Sequence, residues 1–208
     1  YVGEGVRDDR RDHLRSLGAQ IVTIKGGFDE AVLAAQSDAS AFGRVLLADT
    51  SSDPRAVVPS YVMAGYTQIL DEVSRQWTDG APTHALIQAG VGGLAGAAAS
   101  WNSSQSLEAR FKLVVVEPLD ADCLRASAAS SRLTTSNSAS RCSLVGLRCG
   151  VPSAVALQHL SGAVTAYIAI DDAWANRAAN VLRTAPDHTI ATSPAGAAGL
   201  GGLLALTA

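Results

Sequence analysis

The residues best suited to chemistry stand in one run, Gln88-Ala89-Gly90-Val91-Gly92-Gly93-Leu94-Ala95-Gly96. An apolar stretch ends there, three glycines follow, and small residues continue. Glycines let the backbone turn sharply and leave its N–H groups uncovered. A helix starting at that point adds its own unpaired N–H groups and the positive end of its dipole. The combination predicts a phosphate site made by Gly90, Val91, Gly92, Gly93 and Leu94. A tight strand-to-helix turn asks for the same glycines for packing alone, so that reading stays open beside it. Gly90-x-Gly92-x-x-Ala95 also fits the dinucleotide fingerprint, and Glu117 lies near the roughly 20-residue spacing of a ribose-binding acid. On that alternative the chain is an NAD-dependent oxidoreductase using Gly90, Gly92 and Glu117. Against it, roughly eighty residues of α/β pattern precede the turn, whereas the fingerprint normally opens its domain.

Asp49 is the second candidate. It closes the apolar run Arg44-Val45-Leu46-Leu47-Ala48, and the carboxyl ends of parallel strands are where α/β proteins place their sites. A carboxylate there serves as general acid or base, or as a turn former for Thr50-Ser51-Ser52. Other candidates are weaker. His13, His84, His159 and His188 have no metal-ligand spacing, and no GxSxG or HExxH motif occurs. Cys123, Cys142 and Cys149 form no CxxC, which argues against a disulfide framework or a zinc knuckle. Asp171-Asp172 reads as a helix cap, and Tyr61 and Tyr66 as packing. Only two lysines are present, Lys25 and Lys112, and neither stands in an apolar context that would lower an amine's pKa.

These residues need elements to hold them. Short apolar runs alternate with helical stretches. Gln20–Ile24, Arg44–Ala48, His84–Gln88, Lys112–Val116, Ala166–Ile170 and Thr189–Ala191 read as strands, and Tyr1-Val2 as the end of one. Helices are predicted over Asp8–Leu17, Phe28–Gln36, Ser60–Trp77 and Leu94–Trp101. Further helices start at Asp120, at Ser153 (through Leu160) and at Asp171 (through Leu182), and the apolar end from Ala195 to Ala208 reads as a buried helix. In the longest, Val62, Tyr66, Ile69, Leu70, Val73 and Trp77 form the expected buried stripe. Ser51–Pro59 reads as a loop and domain crossing, Ser130–Ser140 as an exposed loop. Strand–helix alternation with apolar strands means an α/β fold with a largely parallel sheet.

Composition narrows the class. The chain has 208 residues, 48% hydrophobic and 17% charged, which excludes a disordered chain. The net charge of −3 gives no general pull toward nucleic acid or an anionic membrane. No run of 18 apolar residues occurs, so no spanning helix is expected. Aromatics are only 5% while Gly and Ala are abundant, which suits close helix–sheet packing better than a β-sandwich. Tyr1-Val2-Gly3-Glu4-Gly5 is not the start of a secretory signal, so a cytoplasmic location is the expectation, and both ends read as cut.

Several stretches, in order, resemble the diaminopropionate ammonia-lyases, pyridoxal-phosphate enzymes of fold type II, the tryptophan-synthase-β type. They are Phe28-Asp29-Glu30-Ala31-Val32; Leu47-Ala48-Asp49-Thr50; Val62-Met63-Ala64-Gly65-Tyr66-Thr67; Pro82-Thr83-His84 leading to Gln88-Ala89-Gly90-Val91-Gly92-Gly93; Val116-Glu117-Pro118 with Ala121-Asp122-Cys123-Leu124; Gly146-Leu147-x-Cys149-Gly150-x-Pro152-Ser153; and Gly196-Ala197-Ala198-Gly199-Leu200. The resemblance implies two three-layer parallel-sheet lobes with the site between them. Residues 1–52 would be part of the small lobe, itself incomplete, and 53–208 the large cofactor-binding lobe, incomplete at its C-terminus. It implies that Gly90 to Leu94 hold the phosphate of pyridoxal 5′-phosphate and that Asp49 transfers a proton on the amino-acid substrate. It implies a homodimer and the α,β-elimination of 2,3-diaminopropionate to pyruvate and ammonia. The family's Schiff-base lysine would lie upstream of this chain, so these residues alone are expected to be inactive. Ser193 and Val151 stand where relatives carry Glu. A serine or threonine dehydratase-like lyase shares the scaffold, and a non-catalytic relative that binds a phosphorylated metabolite is the remaining alternative.

Overall fold

The computed structural model describes residues 1–137, 139–186 and 189–208, so His188 and one residue of the Ser130–Ser140 stretch lie outside the described residues. The chain forms two units, Tyr1–Ala48 and Asp49–Ala208. The segment from Asp49 to Ser52, which the sequence reading put with the first part, belongs to the second unit, where the Ala154 N–H donates to the Ser51 carbonyl at 2.8 Å.

In the first unit, β1 (Val2–Gly3) pairs in parallel with β2 (Thr23–Ile24), and the helices are α1 (Asp8–Ser16) and α2 (Phe28–Phe42). β1 comes close to the Gly26-Gly27 backbone: a Cβ on Gly3 would stand 2.7 Å from the Gly26 carbonyl oxygen. The expected strand Gln20–Ile24 shortens to Thr23–Ile24. α2 runs past Gln36 because nothing stops it until Gly43, whose φ of +63° ends the helix in the left-handed region. The expected strand Arg44–Ala48 does not form. A strand needs a neighbour to hydrogen-bond, none of the described strands flanks this run, and Val45 and Leu47 are more than four-fifths exposed (81% and 82%).

The second unit holds a parallel sheet in the order β3-β4-β5: β3 (His84–Gln88), β4 (Lys112–Pro118) and β5 (Val164–Ile170). Its helices are α3 (Val57–Gln76), α4 (Gly93–Ser103), α5 (Cys123–Ser130), α6 (Ala154–Leu160), α7 (Asp172–Thr184) and α8 (Ala198–Leu206). β4 is buried from Leu113 to Pro118 because both of its faces are covered. Leu113 and Val115 pack with Ala95, Ala98 and Ala99 of α4, Leu124 of α5 and Leu160 of α6. Val116 packs on the other face with Ala175 of α7 and Ala198 of α8. The result is three layers.

Glycine and alanine allow the close approach. A Cβ on Gly202 of α8 would stand 2.8 Å from Val116 Cγ2 and 2.9 Å from Ile168 Cδ1. Caps are local: Asp171 accepts the Ala173 N–H at the start of α7, and Ser153 accepts that of Ala156 at the start of α6. α3 begins at Val57, ahead of the expected Ser60, because Pro59 is tolerated in a first turn. Its buried face passes through Pro59 and Met63, while Ile69, Val73 and Trp77 of the expected stripe are exposed. The expected strand Thr189–Ala191 is absent, since the Ile190 N–H turns back to the Leu182 carbonyl at 2.9 Å. Among the described residues no helix is long and apolar enough to cross a membrane.

Candidate functional site

β3 delivers the glycine turn to the carboxyl edge of the sheet. The last ladder contact is the Ala89 N–H to the Val116 carbonyl at 2.9 Å, and α4 begins at Gly93. Gly92 has φ +104°, a conformation open to glycine and strained for other residues. Its carbonyl accepts the Gly96 N–H at 2.8 Å, the first turn of α4. Among the described residues, the backbone N–H groups from Gly90 through Ala95 donate to no acceptor. Val91, Gly92, Gly93 and Ala95 are nonetheless buried. Buried amides without a partner are costly, so the turn calls for an acceptor from outside the chain. Converging N–H groups at a helix N-terminus suit an anion.

Five segments wall the turn. On Gly90 a Cβ would stand 3.2 Å from Cys149 Sγ and 3.4 Å from Leu147 Cα. On Gly92 it would stand 3.0 Å from both Ala156 Cβ and Leu124 Cδ2. On Gly93 it would stand 3.4 Å from Tyr66 Cε2 and 4.0 Å from the Asp49 carbonyl oxygen. Side chains at Gly90 and Gly92 would crowd these neighbours, so the close approach of the walls itself asks for glycine. The Ser153 N–H donates to the Val91 carbonyl at 2.9 Å and pins the turn to the start of α6.

The main chain of Asp49 thus lies beside Gly93. Its side chain is half-buried and has no hydrogen-bond or ion-pair partner among the described residues. It does not form the following turn: Ser51 Oγ accepts the Asp53 N–H and Asp53 accepts the Arg55 N–H. The carboxylate is unspent, and a proton-transfer role is open to it.

Glu117 has a different role from the ribose acid of the dinucleotide reading. It is fully buried at the end of β4, and its two carboxylate oxygens accept the N–H groups of Leu124 and Arg125, each at 2.8 Å. Desolvation by burial pushes its carboxyl up to about 8, against the pull of those two amides. An acid committed to α5 and closed from solvent cannot reach a ribose hydroxyl, which removes the oxidoreductase alternative. Sequence reasoning missed this arrangement because the partner amides come from a helix across a turn. The signal present was an acid at the end of an apolar strand.

Lys25, Lys112, His13, His84 and His159 are exposed. Asp172 accepts from Ser143, with N–H and hydroxyl both at 2.6 Å, and Ser193 Oγ accepts the Gly196 N–H at 3.1 Å. A cavity of about 490 Å³ opens between α5, α6 and β5, lined by Ser131, Arg132, Gln158, Ser161 and Tyr167 among others, and contains none of the glycines of the turn.

A family model described as pyridoxal-phosphate dependent enzyme matches residues 1–208. The diaminopropionate ammonia-lyase of Escherichia coli (strain K12) is 28% identical over 210 residues, covering 99% of this chain and 53% of the relative. That of Salmonella typhimurium (strain LT2) is 29% identical over 211 residues, covering 97% and 52%. The chain spans about half the length of the curated relatives it matches. Among solved structures, the Escherichia coli diaminopropionate ammonia lyase in complex with D-serine superposes with a TM-score of 0.86 at 28% identity, over 98% of this chain and 52% of that one. Maize serine racemase, at 18% identity and a TM-score of 0.77 over 97% of this chain and 57% of its own, shares the fold.

Proposed function

The chain belongs to the family of pyridoxal-phosphate dependent enzymes, and from that premise we propose that it is the phosphate-holding part of an ammonia-lyase. The reaction is α,β-elimination, in which 2,3-diaminopropionate and water give pyruvate and two ammonia. The substrate assignment rests on likeness to the diaminopropionate ammonia-lyases. The observation that carries the reading is the buried turn whose amides from Gly90 to Ala95 lack an acceptor.

Pyridoxal 5′-phosphate supplies an electron sink for the carbanion formed at the substrate Cα. The chain's own residues do the rest of what is assigned here. The amides of Gly90, Val91, Gly92, Gly93 and Leu94 hold the phosphate, and charge-assisted bonds from several fixed N–H groups also orient the group it belongs to. Leu124, Ala156 and Tyr66 close the sides of the turn and keep its shape. Asp49 holds or moves a proton on the substrate. What supports that role is an unspent carboxylate on a segment whose main chain touches the turn.

The two lysines are exposed, and neither is in the desolvated setting that an amine nucleophile needs, so the 208 residues alone are assigned binding without turnover. The resemblance to the diaminopropionate ammonia-lyases leads us to assign a homodimer. The activity is tested by assaying pyruvate release from 2,3-diaminopropionate by the enzyme that carries these residues. Pyruvate formation dependent on added pyridoxal 5′-phosphate is expected. A cofactor-loaded enzyme that releases none refutes the reading.

A further inference from the structure

We propose that Glu117 is a positioning residue of the phosphate turn, acting through Leu124 and Cys123 of α5. The proposal rests on the reading of the turn as a phosphate site and adds what holds its shape. Glu117 Oε1 accepts the Leu124 N–H and Oε2 the Arg125 N–H, both at 2.8 Å. The side chain of Leu124 then stands over Gly92, its Cδ2 and Cδ1 being 3.0 and 3.3 Å from the place of a Cβ there. The adjacent Cys123 Sγ lies 3.7 Å from the Gly90 carbonyl oxygen. One carboxylate on β4 therefore holds Leu124 and Arg125 by their N–H groups, and Leu124 with its neighbour Cys123 borders two glycines of the turn.

Capping α5 does not by itself require this acid. Asp122 stands at the N-cap of α5 with a carboxylate of its own, yet makes no side-chain cap bond and pairs with Arg125 instead. An N-cap aspartate would cap the helix from the surface at little cost. A fully buried carboxyl is expensive to keep. What the buried strand-end acid adds is a fixed tie between α5 and the end of β4, beside which β3 delivers the turn. With that tie cut, α5 keeps its packing against the sheet but loses the bond that fixes its first turn to the end of β4, and Leu124 is free to shift against Gly92.

The test titrates the 208-residue chain with pyridoxine 5′-phosphate and with pyridoxine, neither of which can form a Schiff base with surface lysines. The readout is the ratio of the two affinities, which isolates the phosphate contribution from general loss of structure. Wild type is expected to favour the phosphorylated probe by about tenfold or more, one decade of binding. Glu117→Leu is expected to lower that ratio by about fivefold or more, and Glu117→Gln, which keeps an acceptor in place, to stay within about twofold of wild type. A Glu117→Leu chain that unfolds cooperatively and keeps the wild-type ratio overturns the proposal. Should Glu117→Leu fail to fold, Glu117→Gln and Leu124→Ala decide: a ratio kept in the first and lost in the second supports it, and any other pattern overturns it. A wild-type chain with no preference for the phosphorylated probe fails the phosphate reading itself.

Discussion

Leu124 and Gly92 meet at the narrowest wall of the turn: a Cβ added to Gly92 would lie 3.0 Å from Leu124 Cδ2 and equally near Ala156 Cβ. Gly92 also has φ +104°. Two independent reasons, backbone conformation and lack of room, therefore demand glycine at one position. Gly92→Ala should weaken binding of pyridoxine 5′-phosphate by about tenfold or more, and lower stability by about 1–3 kcal/mol from the strained backbone. Isothermal titration and urea unfolding read the two effects.

Asp49 yields a separable prediction. Asp49→Asn keeps the size of the side chain and removes its basicity. In the enzyme that carries these residues, turnover should fall by about 10²–10⁴-fold, the usual contribution of a positioned acid or base. Affinity for pyridoxine 5′-phosphate should change less than about twofold, because the phosphate is held by backbone amides. Steady-state kinetics beside a binding titration check it, and an unchanged turnover would remove Asp49 from the reaction.

Glu117 makes stability depend on pH. Its carboxyl is raised from an ordinary value of 4.5 to about 8 by burial. Between those values the folded chain keeps a proton that the unfolded chain has released. The contribution is fully present below 4.5, is lost as pH rises toward 8, and is gone above it. Urea midpoints of wild type and Glu117→Gln should therefore diverge in slope across that window, the variant lacking this part of the decline. Parallel curves would show that Glu117 is ionised when folded.

Gly202 tests the packing that supports the turn from behind the sheet. Gly202→Ala would drive a methyl to 2.8 Å from Val116 Cγ2. A loss of about 1–3 kcal/mol is expected from overpacking, measured as a lower urea midpoint with an unchanged slope.

What was legible in the sequence is what local chemistry decides. His84–Gln88 is a strand with the expected bounds because turn residues flank a short apolar run. Asp171 and Ser153 cap their helices as expected because a side-chain oxygen reaches amides only two or three residues on. The glycine turn was legible because the φ of +104° at Gly92 is a local demand for glycine, although the walls that crowd Gly90 and Gly92 are not local. The misses are non-local. Arg44–Ala48 and Thr189–Ala191 have strand-like composition, but a strand exists only where another strand pairs with it. The buried face of α3 is set by the helix it meets, with Met63 facing Gly96, rather than by its most apolar stripe. Glu117 looked like a ribose acid by spacing, and only the fold shows that α5 had already taken its oxygens.

The most direct measurement is an amide NMR titration of the isotope-labelled chain with pyridoxine 5′-phosphate. The N–H resonances of Gly90, Val91, Gly92, Gly93, Leu94 and Ala95 are expected to shift together and saturate with one affinity, and pyridoxine is expected to produce no such shifts. Saturable shifts confined to other residues, or a turn that stays silent while the phosphate binds, would contradict the phosphate site.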